Sequence, residues 1–394
     1  MSEFRRAAAS PIIGAGSGSP FVPFFMHDLG QAEVDAITQV LAQPILTTGE
    51  TVATFEKQFS EYLGIAHALG VTSCTGAMHL SLLAMDVGPG DEVITTPMTF
   101  VATALSILQA GATPVFVDVE EDTGNIDVER IASAITSKTK AIIPVHLYGL
   151  MADMQRLREV ADSHRLAIIE DCAHCIEGSR DGVRPGELGD TACFSFYATK
   201  NLTSGEGGAV VCREEELKNR LRVARLHGMD KTAFDRHKEG YSHWDMVCMG
   251  WKYNMDNIQA ALLLPQMARI KNKLKERHRL AALYESLLSE APQIRLIATR
   301  DSAIHARHLF PVRVPSECRD EVIVKLKNAG IESVVNYSPI HLLTYFRDRY
   351  GYQAGDFPIA ETLGGEVLSL PFYPGLKDDQ VNYVVQILKR ALEF

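Results

Sequence analysis

The sequence predicts an α/β fold: a mostly parallel central sheet with helices on both faces, followed by a smaller α/β unit. Two observations carry this. Through the first half of the chain, apolar strand-like runs alternate with segments of helical period, the rhythm of successive βαβ units. The runs themselves, such as Ala141-Ile-Ile-Pro-Val145 and Leu166-Ala-Ile-Ile169, are apolar at nearly every position, which suits strands buried on both faces. The chain has 394 residues, of which 46% are hydrophobic and 22% charged. That is ordinary globular composition, long enough to bury a core without disulfide or metal staples.

Taken in order, residues 1–20 read as a flexible leader, small and polar over Ala7–Ser10 and again over Gly14–Ser19. Gly14-Ala-Gly16 looks like half a dinucleotide fingerprint, but Ser19 stands where its third glycine belongs and Pro20 follows, so that reading fails. Val34, Ile37, Val40 and Leu41 share one helical face, and a second helix follows over Val52–Leu63. Strands are expected at Val93–Thr95, Pro114–Val119, Ala141–His146 and Leu166–Asp171. Helices are expected between and after them at Val101–Ala110, Val128–Ile135 and Met154–His164. Two more strands end at Tyr197 and Cys212. Residues 229–249 lack a period and read as an exposed loop. A long helix from about Asn257 to Ser289 is placed to bridge two domains. Beyond it, helices at 318–329 and 378–392 and strands at 308–313 and 332–336 make a small α/β domain. The implied division is a large domain over 21–265 and a small one over 266–394.

The formal charge is 39 − 49 = −10. With no Lys/Arg block to offset it, a general nucleic-acid binder is excluded. No apolar stretch approaches the roughly 18–20 residues that span a bilayer, so no membrane partner is expected. The seven cysteines sit mostly in apolar, strand-like contexts and read as reduced thiols of a cytoplasmic protein. Cys172-Ala-His-Cys175 has a metal-like spacing. Without a second pair at zinc-ribbon spacing it reads as buried thiols, and no metal is expected.

The chemistry concentrates between Asp171 and Gly208. Asp171 ends an apolar strand, and ligands of open α/β sheets gather at the carboxyl ends of strands. Lys200 follows another strand and opens a Gly/Ser/Thr-rich turn. Either residue alone is better read as a surface group. Together they match the needs of pyridoxal phosphate: a lysine for the imine and an acid for the ring nitrogen. Ser73-Cys-Thr-Gly-Ala77 stands at a strand-to-helix junction, where free N–H groups favour an anion. Ser195 can add a hydroxyl, and Phe100 an aromatic face.

The ordered set of motifs resembles the DegT/DnrJ/EryC1/StrS family of sugar aminotransferases over about 22–394. It includes Leu46-Thr-Thr-Gly49, Ser73-Cys-Thr-Gly-Ala-Met-His-Leu80, Pro144-Val-His-Leu-Tyr-Gly149, Glu170-Asp-Cys-Ala-His174, Phe194–Leu202, Gly205-Glu-Gly-Gly208, Gly250–Ala261 and Leu368–Gly375. The resemblance implies a fold-type I pyridoxal phosphate enzyme and a homodimer with shared active sites. It implies that Lys200 is the Schiff-base lysine, Asp171 the partner of the pyridine nitrogen and Phe100 the ring stack. Thr75, Gly76 and Ser195 would bind the phosphate, and His174 would lie near the phenolic oxygen. Lys252 or Asn254 would reach the neighbouring subunit's phosphate. Thr48, Tyr197 and His341 are candidates on the substrate side; Tyr197 stands where many relatives carry histidine. The implied reaction moves an amino group from glutamate to a nucleotide-linked keto-sugar. The Lys252/Asn254 pattern resembles the subset that aminates C4 of UDP-linked sugars. Competing readings are an aminotransferase for a keto-cyclitol and a catalytically silent regulator on the same fold.

Overall fold

The computed structural model describes residues 20–231 and 243–393. The expected leader, except Pro20, and the middle of the expected 229–249 loop lie outside the described residues. Among the described residues the α-helices are α1 (Gln31–Leu41), α2 (Glu50–Leu63), α3 (Cys74–Ala84), α4 (Ala102–Gln109), α5 (Val128–Ala134), α6 (Met154–His164), α7 (Glu215–Ala224), α8 (Asn257–Leu288), α9 (Arg319–Asn328), α10 (Thr344–Tyr350), α11 (Pro358–Glu366) and α12 (Asp378–Ala391). The strands are β1 (His67–Val71), β2 (Glu92–Thr95), β3 (Thr113–Phe116), β4 (Thr139–Ile142), β5 (Ala167–Asp171), β6 (Ser179–Arg180), β7 (Thr191–Ser195), β8 (Gly208–Cys212), β9 (Arg295–Leu296), β10 (Ala303–Ile304), β11 (Phe310–Arg313) and β12 (Val367–Leu370).

The central sheet has seven strands in the order β1-β8-β7-β5-β4-β2-β3. From β3 to β7 every pair is parallel; β8 runs antiparallel to both β7 and β1. The expected fold class holds, with one reversed strand. Alternation along β7 and β8 shows why both faces are covered. Ala192, Phe194, Ala209 and Val211 pack with α2 and the first half of α8, whereas Cys193, Val210 and Cys212 pack with α3 and α7. Because β1, β2, β4, β5 and β7 point the same way, their carboxyl ends share one edge of the sheet.

Local chemistry fixes the element ends. Ser73 caps α3 by accepting from the Gly76 N–H at 3.0 Å, and Asp256 caps α8 by accepting from Gln259 at 2.8 Å. The left-handed turn that ends α2 falls on Gly64, with φ +75°, where a side chain would be strained.

The long helix α8 carries two cores. Ala260, Leu263, Met267 and Ile270 belong to the sheet's core, while Leu280, Ala281, Tyr284 and Leu288 belong to a second one with α9, α12, β11 and β12. Val22 packs into that second core and hydrogen-bonds Gly330, so the chain's early residues sit with its late ones. The strand expected at 332–336 is not formed. Only Val334 bridges, to Ser369, and the following residues turn toward the cavity described below.

Four fully buried phenylalanines knit α2 to the strand that precedes Lys200. The Phe59 ring meets Phe194 edge-on at 5.0 Å and Phe196 at 5.6 Å, and Phe55 meets Phe196 at 5.4 Å. Phe59→Ala is expected to cost roughly 3–5 kcal/mol of stability, and Phe59→Leu distinctly less. Denaturant titration of the two variants against the parent checks the difference.

Candidate active site

The shared strand edge opens into a cavity of about 600 Å³. Ser73, Phe100, Val145, Asp171 and Ser195, each at or just beyond a different strand's carboxyl end, all line it. So do Thr75, His174, Tyr197 and Lys200.

Asp171 ends β5 and is buried. Thr103 donates its hydroxyl to Oδ2 at 2.8 Å, and the Ala173 N–H donates to Oδ1 at 3.1 Å. Burial pushes the carboxyl above its ordinary range, and these two donors and the Lys200 charge pull it back. The same burial lowers Lys200 from 10.5 to about 8, against the opposing pull of Asp171 and Cys74. A lysine at that value is in large part a neutral amine near pH 8, fit to attack a carbonyl carbon. His174 is buried and held neutral, far below its usual value, by desolvation and by the Lys200 charge. Its Nδ1 accepts from the Tyr148 N–H at 3.2 Å, so its proton is on Nε2, which faces the Tyr337 hydroxyl at 3.1 Å.

The expected phosphate cup is built from backbone. Ser73 takes the Gly76 N–H, and the first-turn N–H groups of Cys74 and Thr75 have no carbonyl within the helix to bind. Gly76 thus shapes the cup, while the donors are the residues before it. Gly208 runs directly beneath: a Cβ there would lie 2.5 Å from the Ser73 carbonyl carbon and 2.6 Å from the Cys74 nitrogen. Only glycine permits that approach. Ser195 accepts from the Tyr197 N–H at 3.3 Å, which leaves its own proton to give. Phe100 is 58% exposed and Tyr197 47%, so neither is a core aromatic; both stand over the cavity.

Three expected residues lie elsewhere in the chain's own structure. Thr48, Lys252 and Asn254 form one cluster outside this cavity. Lys252 donates to Asn254 at 2.6 Å, Asn254 to Thr48 at 2.7 Å, and Thr48 to the Met255 carbonyl at 2.6 Å. His341 is a correction. It is 0% exposed, paired with Glu361 at 3.0 Å and packed on Phe357, so it is buried structure and not a cavity residue. Cys172 and Cys175 are likewise buried, their thiols pushed up by desolvation. The one compact ligand-like group among the described residues, His146, Glu170 and Cys172, has its Glu170 carboxylate already occupied by His146 and the Gly186 and Gly189 N–H groups.

Sequence reasoning missed Thr103, Tyr337 and His308. Thr103 was within reach: it follows Phe100 by three residues at the start of α4, and such neighbours share a face. Tyr337 and His308 come from the C-terminal region and carry no local signal.

The family model described as the DegT/DnrJ/EryC1/StrS aminotransferase family matches residues 27–389. The chain belongs to this family. Spore coat polysaccharide biosynthesis protein SpsC of Bacillus subtilis (strain 168) is 39% identical over 375 residues, covering 94% of this chain and 96% of SpsC. Among solved structures, Spr1654 from Streptococcus pneumoniae in its PMP form superposes with a TM-score of 0.89. It is 32% identical and covers 95% of this chain and 99% of that one. DesV of S. venezuelae, solved with a ketimine intermediate, gives 0.85 at 37% identity, covering 92% and 95%. This aminotransferase takes the family's cofactor, pyridoxal phosphate, and the cavity meets that group's needs: a glycine-floored cup at a helix start, a buried acid, and a lysine of lowered pKa.

Two outcomes follow. Gly208→Ala should weaken cofactor retention by about tenfold or more, equivalent to about 1.4 kcal/mol, read from absorbance during titration with pyridoxal phosphate. In protein stripped of cofactor, the acetylation rate of Lys200 should rise with pH to a midpoint near 8, well below that of the surface lysines, as followed by peptide mass spectrometry.

Proposed function

We propose that the protein transfers an amino group from glutamate to the ketone of a nucleotide-linked sugar, with the C4 position of a UDP-sugar as the favoured acceptor. The observation that carries the reading is the pairing of Lys200, lowered to about 8, with the buried Asp171 at one strand edge. Pyridoxal phosphate supplies an electron sink for the pair left behind when a proton leaves the amino acid's Cα.

The chain's own residues do the rest. Thr75 and Ser195 would hold the phosphate, Asp171 would face the ring nitrogen, and Phe100 would cover one ring face. His174, aimed by Tyr148, would stand beside the phenolic oxygen. Lys200 Nζ would carry the proton: as a neutral amine it would accept one from the donor's Cα and release it to the cofactor's reactive carbon. Water would supply the oxygen with which the donor leaves as a keto acid, its amino group would stay behind in the site, and the reverse steps would place that amine on the sugar as the ketone oxygen leaves in water.

The proposal extends to a homodimer with shared sites. Lys252 and Asn254, which lie outside their own chain's cavity, would serve a partner's phosphate. The segment before them exposes Met246, Val247 and Met249. The cytoplasmic assignment is part of the proposal, and the seven free thiols, six of them buried, support it. No helix among the described residues is long and apolar enough to cross a membrane. The two cores on α8 favour a large and a small domain, but Met267 and Ile270 pack in the first core and Val22 in the second, across the 21–265 and 266–394 bounds.

Lys200→Ala should lose far more than the about 10²–10⁴-fold typical of acid–base catalysis, because it also removes the carbonyl-reactive amine. Asp171→Asn should stay folded yet lose most turnover. Full activity in either variant would sink the mechanism. A panel of nucleotide keto-sugars with glutamate as donor decides the acceptor: turnover confined to C3-ketones or to dTDP-sugars would remove the C4 UDP assignment.

A further inference from the structure

We propose that His308 is a positioning residue for the Lys200 amine. Its Nε2 accepts a hydrogen bond from Nζ, and a chain from the buried Arg277 and Glu177 through the partly buried Asn201 fixes the imidazole in the one tautomer that can accept. The inference rests on Lys200 being the cofactor lysine.

The contacts determine the direction of every proton in the chain. Arg277 on α8 is 2% exposed, and its guanidinium pairs with Glu177, which is fully buried. Asn201 directs its amide nitrogen to Glu177 Oε2 at 3.0 Å and to the Ala306 carbonyl at 3.2 Å. Both are acceptors, so the Asn201 group there must be the NH₂. Its Oδ1 is left to face His308 Nδ1 at 3.4 Å. A carboxamide oxygen only accepts, so Nδ1 carries the imidazole proton. The other nitrogen, Nε2, is then a bare lone pair, and it lies 3.4 Å from Lys200 Nζ. His308 is buried, and desolvation and then the Lys200 charge hold it neutral, so it does not compete for the amine's proton.

A free Lys200 amine therefore directs one N–H at His308, which leaves its second N–H and its lone pair for the cavity. When the amine has gained a proton, the same acceptor holds the ammonium. The other groups facing this pair are Asp171 and Cys74 on the Lys200 side, and His174, whose ring lies 4.5 Å from that of His308, together with Arg277 on the other.

The test follows Lys200 acetylation by acetic anhydride against pH in the full-length protein freed of cofactor, read by peptide mass spectrometry. His308→Leu removes the acceptor and should lower the Lys200 midpoint by about one unit. Asn201→Leu leaves His308 in place but frees its tautomer, and should lower the midpoint in the same direction. His308→Gln, which offers a carboxamide oxygen, should return it toward the parent. A merely structural histidine would give unshifted midpoints in variants whose circular dichroism matches the parent, and that result overturns the inference. A shift in His308→Leu with none in Asn201→Leu overturns the tautomer chain. Should His308→Leu fail to fold, Asn201→Leu and His308→Gln carry the decision alone. Borohydride reduction of the cofactor-loaded parent separates the premise from the inference: cofactor mass on another lysine refutes the role of Lys200 itself, whereas mass on Lys200 with unmoved midpoints refutes only that of His308.

Discussion

Two ionisable groups buried together govern this molecule. Asp171 resists its charge and Lys200 resists its own, both because water is withdrawn from them. Neither is silenced by a dense set of partners, as a structural ion pair would be. The surrounding fold is arranged to hold this unsettled state. The Thr103 hydroxyl and the Ala173 amide oppose the burial that pushes the Asp171 carboxyl upward. The parallel sheet brings five strand ends to one edge, so the phosphate cup, the acid and the aromatic cover converge without a long loop being needed to place any of them.

The contrast with Glu170, one residue earlier on β5, is instructive. Its side chain points to the other face of the sheet, where His146 and two glycine amides satisfy it fully. Successive residues of one strand thus serve opposite ends: one carboxylate is spent on architecture, its neighbour is kept available. The α8 helix plays a similar double part. Its apolar positions tie the two cores, and Arg277 anchors a polar chain that ends at the reactive amine.

Most of the sheet was legible because strands buried on both faces are written as apolar runs bounded by turns, and β5, β7 and β8 are of this kind. The helices α2, α6 and α12 carried clear periods. The 332–336 segment misled because Val334 and Val335 look strand-like while the backbone is diverted by the cavity wall. Within the site, Lys200, Asp171, Thr75, Phe100, His174, Ser195 and Tyr197 were readable as a set, since each lies next to a strand end in one half of the chain. His341 was not. A loop-like context, Ser338-Pro-Ile-His341, gave no hint that Glu361, on a helix the periodicity did not reveal, would pair with it in the interior. Tyr337 and His308 were invisible for the converse reason: long-range packing alone brings Tyr337 to the cavity and His308 to the Lys200 amine.

The reversed strand β8 has a thermodynamic meaning. Ser195 and Gly208 face each other in the ladder between β7 and β8, so the segment that bears Lys200 is a loop tied shut at its base. Its closure entropy is lost when the sheet forms, not when a ligand arrives. Affinity for cofactor and sugar is then not drawn down by the ordering of the lysine's own backbone, and the free energy of their contacts is left for discrimination among acceptors.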